Sequence, residues 1–443
     1  MVIAKPITGV YRTIKNRIRL ILFAVFIVIP YIRLNDIPLV LLDIPARKFY
    51  IFGLVIWPQE LYFLHLLLLM AGLTLFLVTA LFGRIWCGYA CPQTLFTELY
   101  DGVARIVTGG EYGKTSAKGK LSVPIRAWVY FVWAVLSVLL SLQFLGYFVP
   151  YEQIVADLRS FNFLEEGAPT ASLVFMVLSS GAAWGNMALL RENMCKMVCP
   201  YGRFQTALLD KDSPIVSYNI KRGEPRRIKA TQKVGKHDGD CIDCDLCVMV
   251  CPTGIDIRDG LQVGCLSCGL CVDACTIVMN KLDKPTLIKY QPLEQTNKPP
   301  HYLRPRTVTY GLLLGVALTL FSFLLYARLP FYADSALDKA IPAAYIPGTG
   351  WQNGYEFHIG NKSHNDIQLS ISTDNQTDYR MIGFEDGMRI SPGEHRKFRV
   401  IVQRFEKAGR PEFGVLPVNF IVSLTNNTKD KKIIEASFPF PEL

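Results

Sequence analysis

The sequence predicts a multi-domain membrane protein: an α-helical transmembrane bundle with five spans, an inserted cysteine-rich domain and a C-terminal all-β sandwich. Three observations predict it. Hydrophobic residues make up 51% of the 443 residues, and several apolar stretches approach the roughly 20 residues that cross a bilayer as a helix. Twelve cysteines fall in tight groups, none of them after Cys275. The last segment alternates apolar and polar residues with period two, as half-buried strands do.

The five stretches are Ile18 to Ile32, Leu61 to Phe82, Ala127 to Val149, Thr170 to Leu190 and Thr307 to Tyr326. Pro30 and Arg33 shorten the first. Ile37 to Trp57 is apolar but broken by Asp43, Pro45, Arg47 and Lys48, and reads as an interfacial or re-entrant stretch, not a sixth span. The basic start, Met1 to Leu20, has no small-residue cleavage site after its apolar run and reads as a retained first helix.

Basic residues set the orientation. They collect in the N-terminal tail (Lys5, Arg12, Lys15, Arg17, Arg19) and after the second stretch (Arg84, Arg105, Lys114, Lys118, Lys120). The loop after the third stretch carries Glu152, Asp157, Glu165 and Glu166 against Arg159. Positive loops stay inside, so the N-terminus and Arg191 to Arg306 are expected in the cytoplasm of a bacterial inner membrane, and Pro330 to Leu443 in the periplasm. The expected domains are 1–190 with spans one to four, 191–306 cytoplasmic, 307–329 the fifth span, and 330–443 a linker and sandwich. The net charge of +10 flanks apolar stretches and serves topology, which argues against nucleic acid as a partner.

The densest signal is Cys241-x2-Cys244-x2-Cys247-x3-Cys251-Pro252, followed by Cys265-x2-Cys268-x2-Cys271-x3-Cys275. Three close thiolates grip three corners of an iron–sulfur cube, and the fourth cysteine reaches the cube nucleated by the other motif. The expected ligand sets of two 4Fe–4S clusters in a ferredoxin-like domain are Cys241, Cys244, Cys247 and Cys275, and Cys265, Cys268, Cys271 and Cys251. Tetrahedral zinc also uses Cys-x2-Cys, but it asks for two pairs per site, whereas each motif here repeats a triple. Thr276 stands after Cys275 where a proline is usual, which leaves that turn unpredicted. Thiolates at this density suit a reducing compartment, in agreement with the charge bias.

A second constellation is Cys87-Gly88-Tyr89-Ala90-Cys91-Pro92, echoed by Cys195-Lys196-Met197-Val198-Cys199-Pro200. If a helix continues through each pair, i,i+4 spacing puts both thiols on one face and the proline marks the helix boundary. Soft sulfur selects copper(I), zinc or an iron–sulfur centre, and Met194 and Met197 add thioethers. Simple packing competes with this reading, because cysteine is common in apolar interiors. The same spelling at two equivalent positions favours metal or redox chemistry. Copper, a third redox centre or a dithiol would each suit Cys87, Cys91, Cys195 and Cys199, the candidate catalytic and metal-holding residues.

Beyond Pro330, the runs Tyr355 to Ile359, Ile367 to Ile371, Lys397 to Val402 and Val418 to Val422 alternate, with turns at Asn361-Lys362 and Pro392-Gly393, as in an immunoglobulin-like sandwich without its disulfide. His65 is the only histidine inside a clear span, which argues against a haem held by two intramembrane histidines and for a structural or interface role. Asn361-Lys362-Ser363 and Asn375-Gln376-Thr377 spell glycosylation sequons but are short enough to arise by chance. The basic run Lys221 to Lys229 reads as a solvated or lipid-facing surface.

Taken in order, Asp43-Ile44-Pro45-Ala46-Arg47-Lys48-Phe49, Trp57-Pro58-Gln59, Arg84-Ile85-Trp86-Cys87 through Cys91-Pro92-Gln93-Thr94, Arg191-Glu192-Asn193 through Cys199-Pro200-Tyr201-Gly202-Arg203-Phe204-Gln205 and the two cluster motifs resemble the cytochrome c oxidase accessory protein CcoG family, also called FixG or RdxA. The resemblance covers nearly the whole chain. It implies electron transport and reduction of copper(II) to copper(I) for assembly of cbb3-type cytochrome oxidase, with the eight clustered cysteines as relay and Cys87, Cys91, Cys195 and Cys199 handling copper. Implied partners are oxidase subunits or copper-delivery proteins, membrane lipid and an electron donor that the sequence does not name. Two other readings stand beside it: a quinol-linked membrane ferredoxin of the nitrate- or nitrous-oxide-reductase maturation type, which leaves the β-domain unexplained, and a non-enzymatic assembly scaffold.

Overall fold

The computed structural model describes residues 3–34, 37–110, 112, 122–160, 164–165, 168–226, 239–292, 302–363, 365–408, 414–425 and 427–440. Lys114, Lys118, Lys120 and Glu166 of the charge-biased loops, and residues 227–229 of the basic run, lie outside the described residues. The chain divides into two compact units, Met1–Phe321 and Ser322–Leu443.

Among the described residues, four helices are long and apolar enough to cross a membrane: Pro58–Phe82, Val123–Leu145, Ala171–Leu190 and Pro305–Tyr326. The second of these opens four residues before the expected Ala127, because Pro124 in its first turn has the backbone angle a helix start needs. His65, in Pro58–Phe82, bonds the Leu61 carbonyl through Nδ1 at 2.8 Å.

The expected first span, Ile18 to Ile32, takes a different form. Its helix runs Val10–Val28 and passes into a 3-10 turn at Ile29–Tyr31, and Arg12, Lys15, Arg17 and Arg19 on its first half keep it out of the apolar set. Three of those cations converge on Glu98, from Arg12 at 3.1 Å, Lys15 at 2.8 Å and Arg19 at 3.2 Å. Burial alone would raise the Glu98 carboxyl, but Lys15, Arg12 and Arg19 outweigh it and hold it below the usual carboxylate range. The backbone N–H groups of Tyr11 and Arg12 donate to the Asp273 carboxylate, an anion at a helix N-terminus. At the other end, Gln143 donates to the Phe26 and Ile27 carbonyls, and Tyr147 to Phe26. The helix therefore runs from the cysteine-rich domain to the C-terminal end of Val123–Leu145.

Ile37 to Trp57, expected as an interfacial or re-entrant stretch, contains a three-stranded antiparallel meander of Val40–Asp43, Lys48–Ile51 and Leu54–Ile56. The polar residues that interrupt the apolar run make its first turn: the Asp43 carboxylate accepts the Ala46 N–H at 2.9 Å. Phe52 and Gly53, at φ 50° and 82°, form the second as a two-residue hairpin.

In the cysteine-rich domain, Pro214–Tyr218 pairs antiparallel with Ile288–Pro292, and the cysteine loops lie between them in sequence with the helices Leu246–Met249 and Leu270–Asn280. Val216, Ile255, Val272, Met279 and Leu287 form its small core together with several cysteines. Two cations of the expected lipid-facing run are engaged within this domain: Arg222 pairs with Asp240 at 2.9 Å and Arg226 with Glu224 at 2.8 Å.

The second unit is a sandwich. One sheet runs Phe331–Leu337, Gly350–Asn361, His395–Phe405, Tyr379–Ile382, with Ala344–Ile346 also beside Gly350–Asn361. The other runs Met388–Ile390, Ile367–Thr373, Val415–Leu424, Asn427–Pro439. The segment expected to begin as a linker thus opens with a strand. Inward residues of both sheets meet as alternation demands: Phe420 packs edge-on against Tyr355 and Phe357, with ring centres 5.0 and 5.1 Å apart. Asn361 of the first sequon is buried and donates to the Asn365 and Ile390 carbonyls, so it is a structural residue.

Candidate metal centres

The two cluster motifs fold alike. Asp243 and Asp245 flank Cys244 at φ 51° and 54°, and Ser267 and Gly269 flank Cys268 at φ 48° and 75°. A left-handed residue on each side of the middle cysteine curls the loop, a conformation most tolerable for Gly and Asp. In the first motif Arg258 clamps the curl, meeting Asp243, Asp245 and Asp256 each at 2.6 Å.

Cys241, Cys244, Cys247 and Cys275 line one cavity; Cys247, Cys251, Cys265, Cys268 and Cys271 line a second. Each motif's last cysteine thus reaches the other motif's cavity. The absent proline after Cys275 has a simple consequence: Leu270–Asn280 continues unbroken through Cys275, whose sulfur accepts the Leu287 N–H at 3.4 Å. Burial pushes the Cys247 thiol up to about 12 against the pull of Arg258, pushes Cys265 up to about 11, and raises Cys268 and Cys271 as well. Thiolates here require a positive centre inside the cavity. Cysteine-rich linings without histidine suit an iron–sulfur cluster, whose chemistry would be one-electron exchange.

The second constellation departs from the continuous helix expected of it. Cys87 sits in the short helix Ile85–Tyr89, and the chain breaks so that Cys91 becomes the N-cap of Pro92–Val107. Cys195 lies in a π-helical turn, Met194–Val198, and Cys199 becomes the N-cap of Pro200–Leu208. Each proline opens a helix. It holds the cysteine before it extended (ψ 127° and 113°) and loses no hydrogen bond at the first helical position.

Both pairs nevertheless meet. Cys87, Cys91, Cys195 and Cys199 line one cavity of ≈ 200 Å³ together with Met194, Arg84, Tyr201 and Gln205. Met197, expected to add a thioether, is 66% exposed and not part of the lining. Burial, then neighbouring Cys91, pushes the Cys87 thiol up to about 12 despite Arg84; burial and Cys91 push Cys195 to about 11. The Cys87 thiol donates to Gln205 Oε1 at 3.3 Å, and its carbonyl accepts from Thr94 at 2.7 Å.

Several residues behind this cavity had no role in the spacing argument. Arg84, 2% exposed, donates to the carbonyls of Val263 at 2.6 Å, Cys265 at 3.2 Å and Gly202 at 2.8 Å. Arg191, at φ 39°, pairs with buried Asp101 at 2.8 Å and donates to Tyr112, which itself donates to Asp101 at 2.7 Å. That triad anchors the reversal between the π-helical turns Asn186–Leu190 and Met194–Val198, and so the position of Cys195. Arg84 and Arg191 each precede a cysteine pair by three or four residues, the one signal that could have marked them.

Comparison with known proteins agrees with this geometry. Residues 190–293 match the 4Fe-4S dicluster domain, residues 64–108 a 4Fe-4S binding domain, and residues 322–441 the Ig-like fold at the C-terminus of FixG. The chain is 34% identical to protein RdxA of Cereibacter sphaeroides over 397 residues, covering 85% of this chain and 82% of that one. It is 35% identical to protein RdxB of the same organism over 401 residues, covering 84% and 82%. It is 37% identical to nitrogen fixation protein FixG of Rhizobium meliloti over 301 residues, covering 65% and 56%. With apolar helices able to span a membrane, an iron–sulfur domain and the Ig-like C-terminal fold, the chain belongs to the FixG/RdxA family of iron–sulfur electron-transfer proteins.

Proposed function

We propose that the protein reduces copper(II) to copper(I) at Cys87, Cys91, Cys195 and Cys199, for assembly of a cbb3-type cytochrome oxidase, with electrons supplied through clusters held by Cys241, Cys244, Cys247 and Cys275 and by Cys251, Cys265, Cys268 and Cys271. The observation that carries it is the convergence of four thiols from two distant segments in one cavity, with Cys265 in its wall. Copper is the substrate. Soft sulfur favours its reduced state, so the same donor set that receives copper(II) also favours the product.

Five spans are part of the proposal. The helix Val10–Val28 joins Asp273 at one end to the far end of Val123–Leu145, and its 19 residues cover about 28 Å at 1.5 Å per residue, close to a hydrocarbon core. Three of its four cations meet Glu98 on the cysteine-rich side, which supports a charged helix crossing. The N-terminus and clusters are then cytoplasmic and the sandwich periplasmic, where it would dock oxidase subunits or copper-delivery proteins.

A cupric reductase assay on anaerobic full-length protein tests the reading. Replacement of all four cysteines with serine is expected to abolish copper(I) formation while eight-cysteine iron content stays; undiminished activity would remove these thiols from the mechanism.

A further inference from the structure

The three cysteine cavities form a line. The cavity of Cys241, Cys244, Cys247 and Cys275 shares Cys247 with the cavity of Cys251, Cys265, Cys268 and Cys271. That second cavity shares Cys265 and Leu266 with the four-thiol cavity of Cys87, Cys91, Cys195 and Cys199. No lining residue is common to the first and the last.

The seam between the second and third cavities is close backbone packing. A Cβ at Gly88 would fall 2.7 Å from the Leu266 carbonyl oxygen, 2.9 Å from Cys268 Cα and 3.1 Å from Cys268 N, so no other residue fits without moving the loop. Tyr89, next in the same motif, donates to the Cys268 carbonyl at 3.1 Å. Arg84, three residues before Cys87, holds the Cys265 carbonyl. Residues within and just before the Cys87-x3-Cys91 pair thus grip the second cluster loop. At the opposite end of the line Cys244 is exposed, the side open to a soluble or membrane-bound one-electron donor.

We propose that Gly88, Tyr89 and Arg84 are positioning residues that couple the four-thiol cavity to one cluster seat only, that of Cys251, Cys265, Cys268 and Cys271, which makes it the delivering seat and the seat of Cys241, Cys244, Cys247 and Cys275 the receiving one. This rests on the reading that the four thiols are where electrons arrive. The balance is one electron lost at the delivering seat and one gained by copper(II), with no bond or proton transferred. Tunnelling rates fall exponentially with distance, so contact at one seat alone imposes an order.

The test is a redox titration by electron paramagnetic resonance on anaerobic full-length protein, wild type against Tyr89→Phe, Gly88→Ala and Arg258→Lys. Arg258 lines only the receiving seat and marks its signal. Tyr89→Phe is expected to change the reduced-to-oxidised ratio of the other signal about threefold at fixed potential, about 30 mV for a one-electron couple, and to leave the Arg258-sensitive signal in place. Gly88→Ala, if it assembles both clusters, is expected to slow loss of that same signal after copper(II) is added at least about tenfold. If Tyr89→Phe moves the Arg258-sensitive signal, both signals or neither, the one-sided coupling is overturned. If the one-sided shift holds yet the four-serine variant still reduces copper at the wild-type rate, the destination falls and the order of seats stands.

Discussion

The cysteine-rich domain and the C-terminal sandwich solve the same problem, filling an interior, in opposite ways. The sandwich closes on itself with Phe331, Tyr355, Phe357, Phe420 and Phe438, all buried, and contains no cysteine. The cysteine-rich domain surrounds cavities walled by thiols, with a short two-stranded sheet and few large side chains. One interior is complete in side chains alone; the other is shaped around groups that only sulfur can hold. Stability should therefore depend on metal in one unit and on packing in the other.

The largest expected effect is iron removal. Chelation of the full-length protein should abolish hydrogen-exchange protection across 239–292 and leave protection of 350–361 and 415–424 unchanged; equal loss in both would erase the contrast. Phe357→Ala should do the converse, destabilising the sandwich by about 3–5 kcal/mol in denaturant titration with iron content unchanged.

The thiols sharpen the comparison through pH. In metal-free protein the Cys87 thiol, pushed up to about 12 from an ordinary 9.0, stays protonated at pH 8, so its alkylation should run at least about tenfold slower than that of a free thiol. Because the folded value lies above the unfolded one, this contribution to metal-free stability is full below pH 9 and fades as pH rises toward 12. Mass spectrometry of alkylated peptides reads the rate directly.

Asp101→Ala removes the nearer of buried Arg191's two carboxylates, leaving Glu192 at 3.8 Å, and should cost about 3 kcal/mol, together with faster alkylation of Cys195 as its anchoring turn loosens. The smallest effect should come from the exposed Arg389–Asp366 pair on the sandwich, where Arg389→Ala should change stability by less than about 0.5 kcal/mol. A larger loss there would mean that the sandwich relies on more than its aromatic interior.

Much of this was legible because it repeats. Apolar runs of membrane length, triple cysteine spacings and period-two strands are local patterns, and local patterns fold where they stand. Legibility stopped where distant segments decide. The first span reads in the sequence as Ile18 to Ile32, shortened by Pro30 and Arg33, whereas the helix starts at Val10 and carries Arg12, Lys15 and Arg19, whose partner Glu98 lies some 80–90 residues away. Cys-x3-Cys-Pro looked like one helix because i,i+4 is a helical spacing. The proline ring instead forces Cys91 and Cys199 extended and starts a new helix.

By itself the sequence determined where the soft sulfur donors are grouped, four of the stretches apolar enough to enter a membrane and which segment forms a sandwich, since side-chain chemistry and periodicity are written residue by residue. Only the tertiary structure decided that two cysteine pairs about 100 residues apart share one cavity, and that this cavity abuts Cys265 and not Cys241. Adjacency of that kind comes from packing, where Gly88 lets two backbones touch and Arg84 ties three carbonyls together.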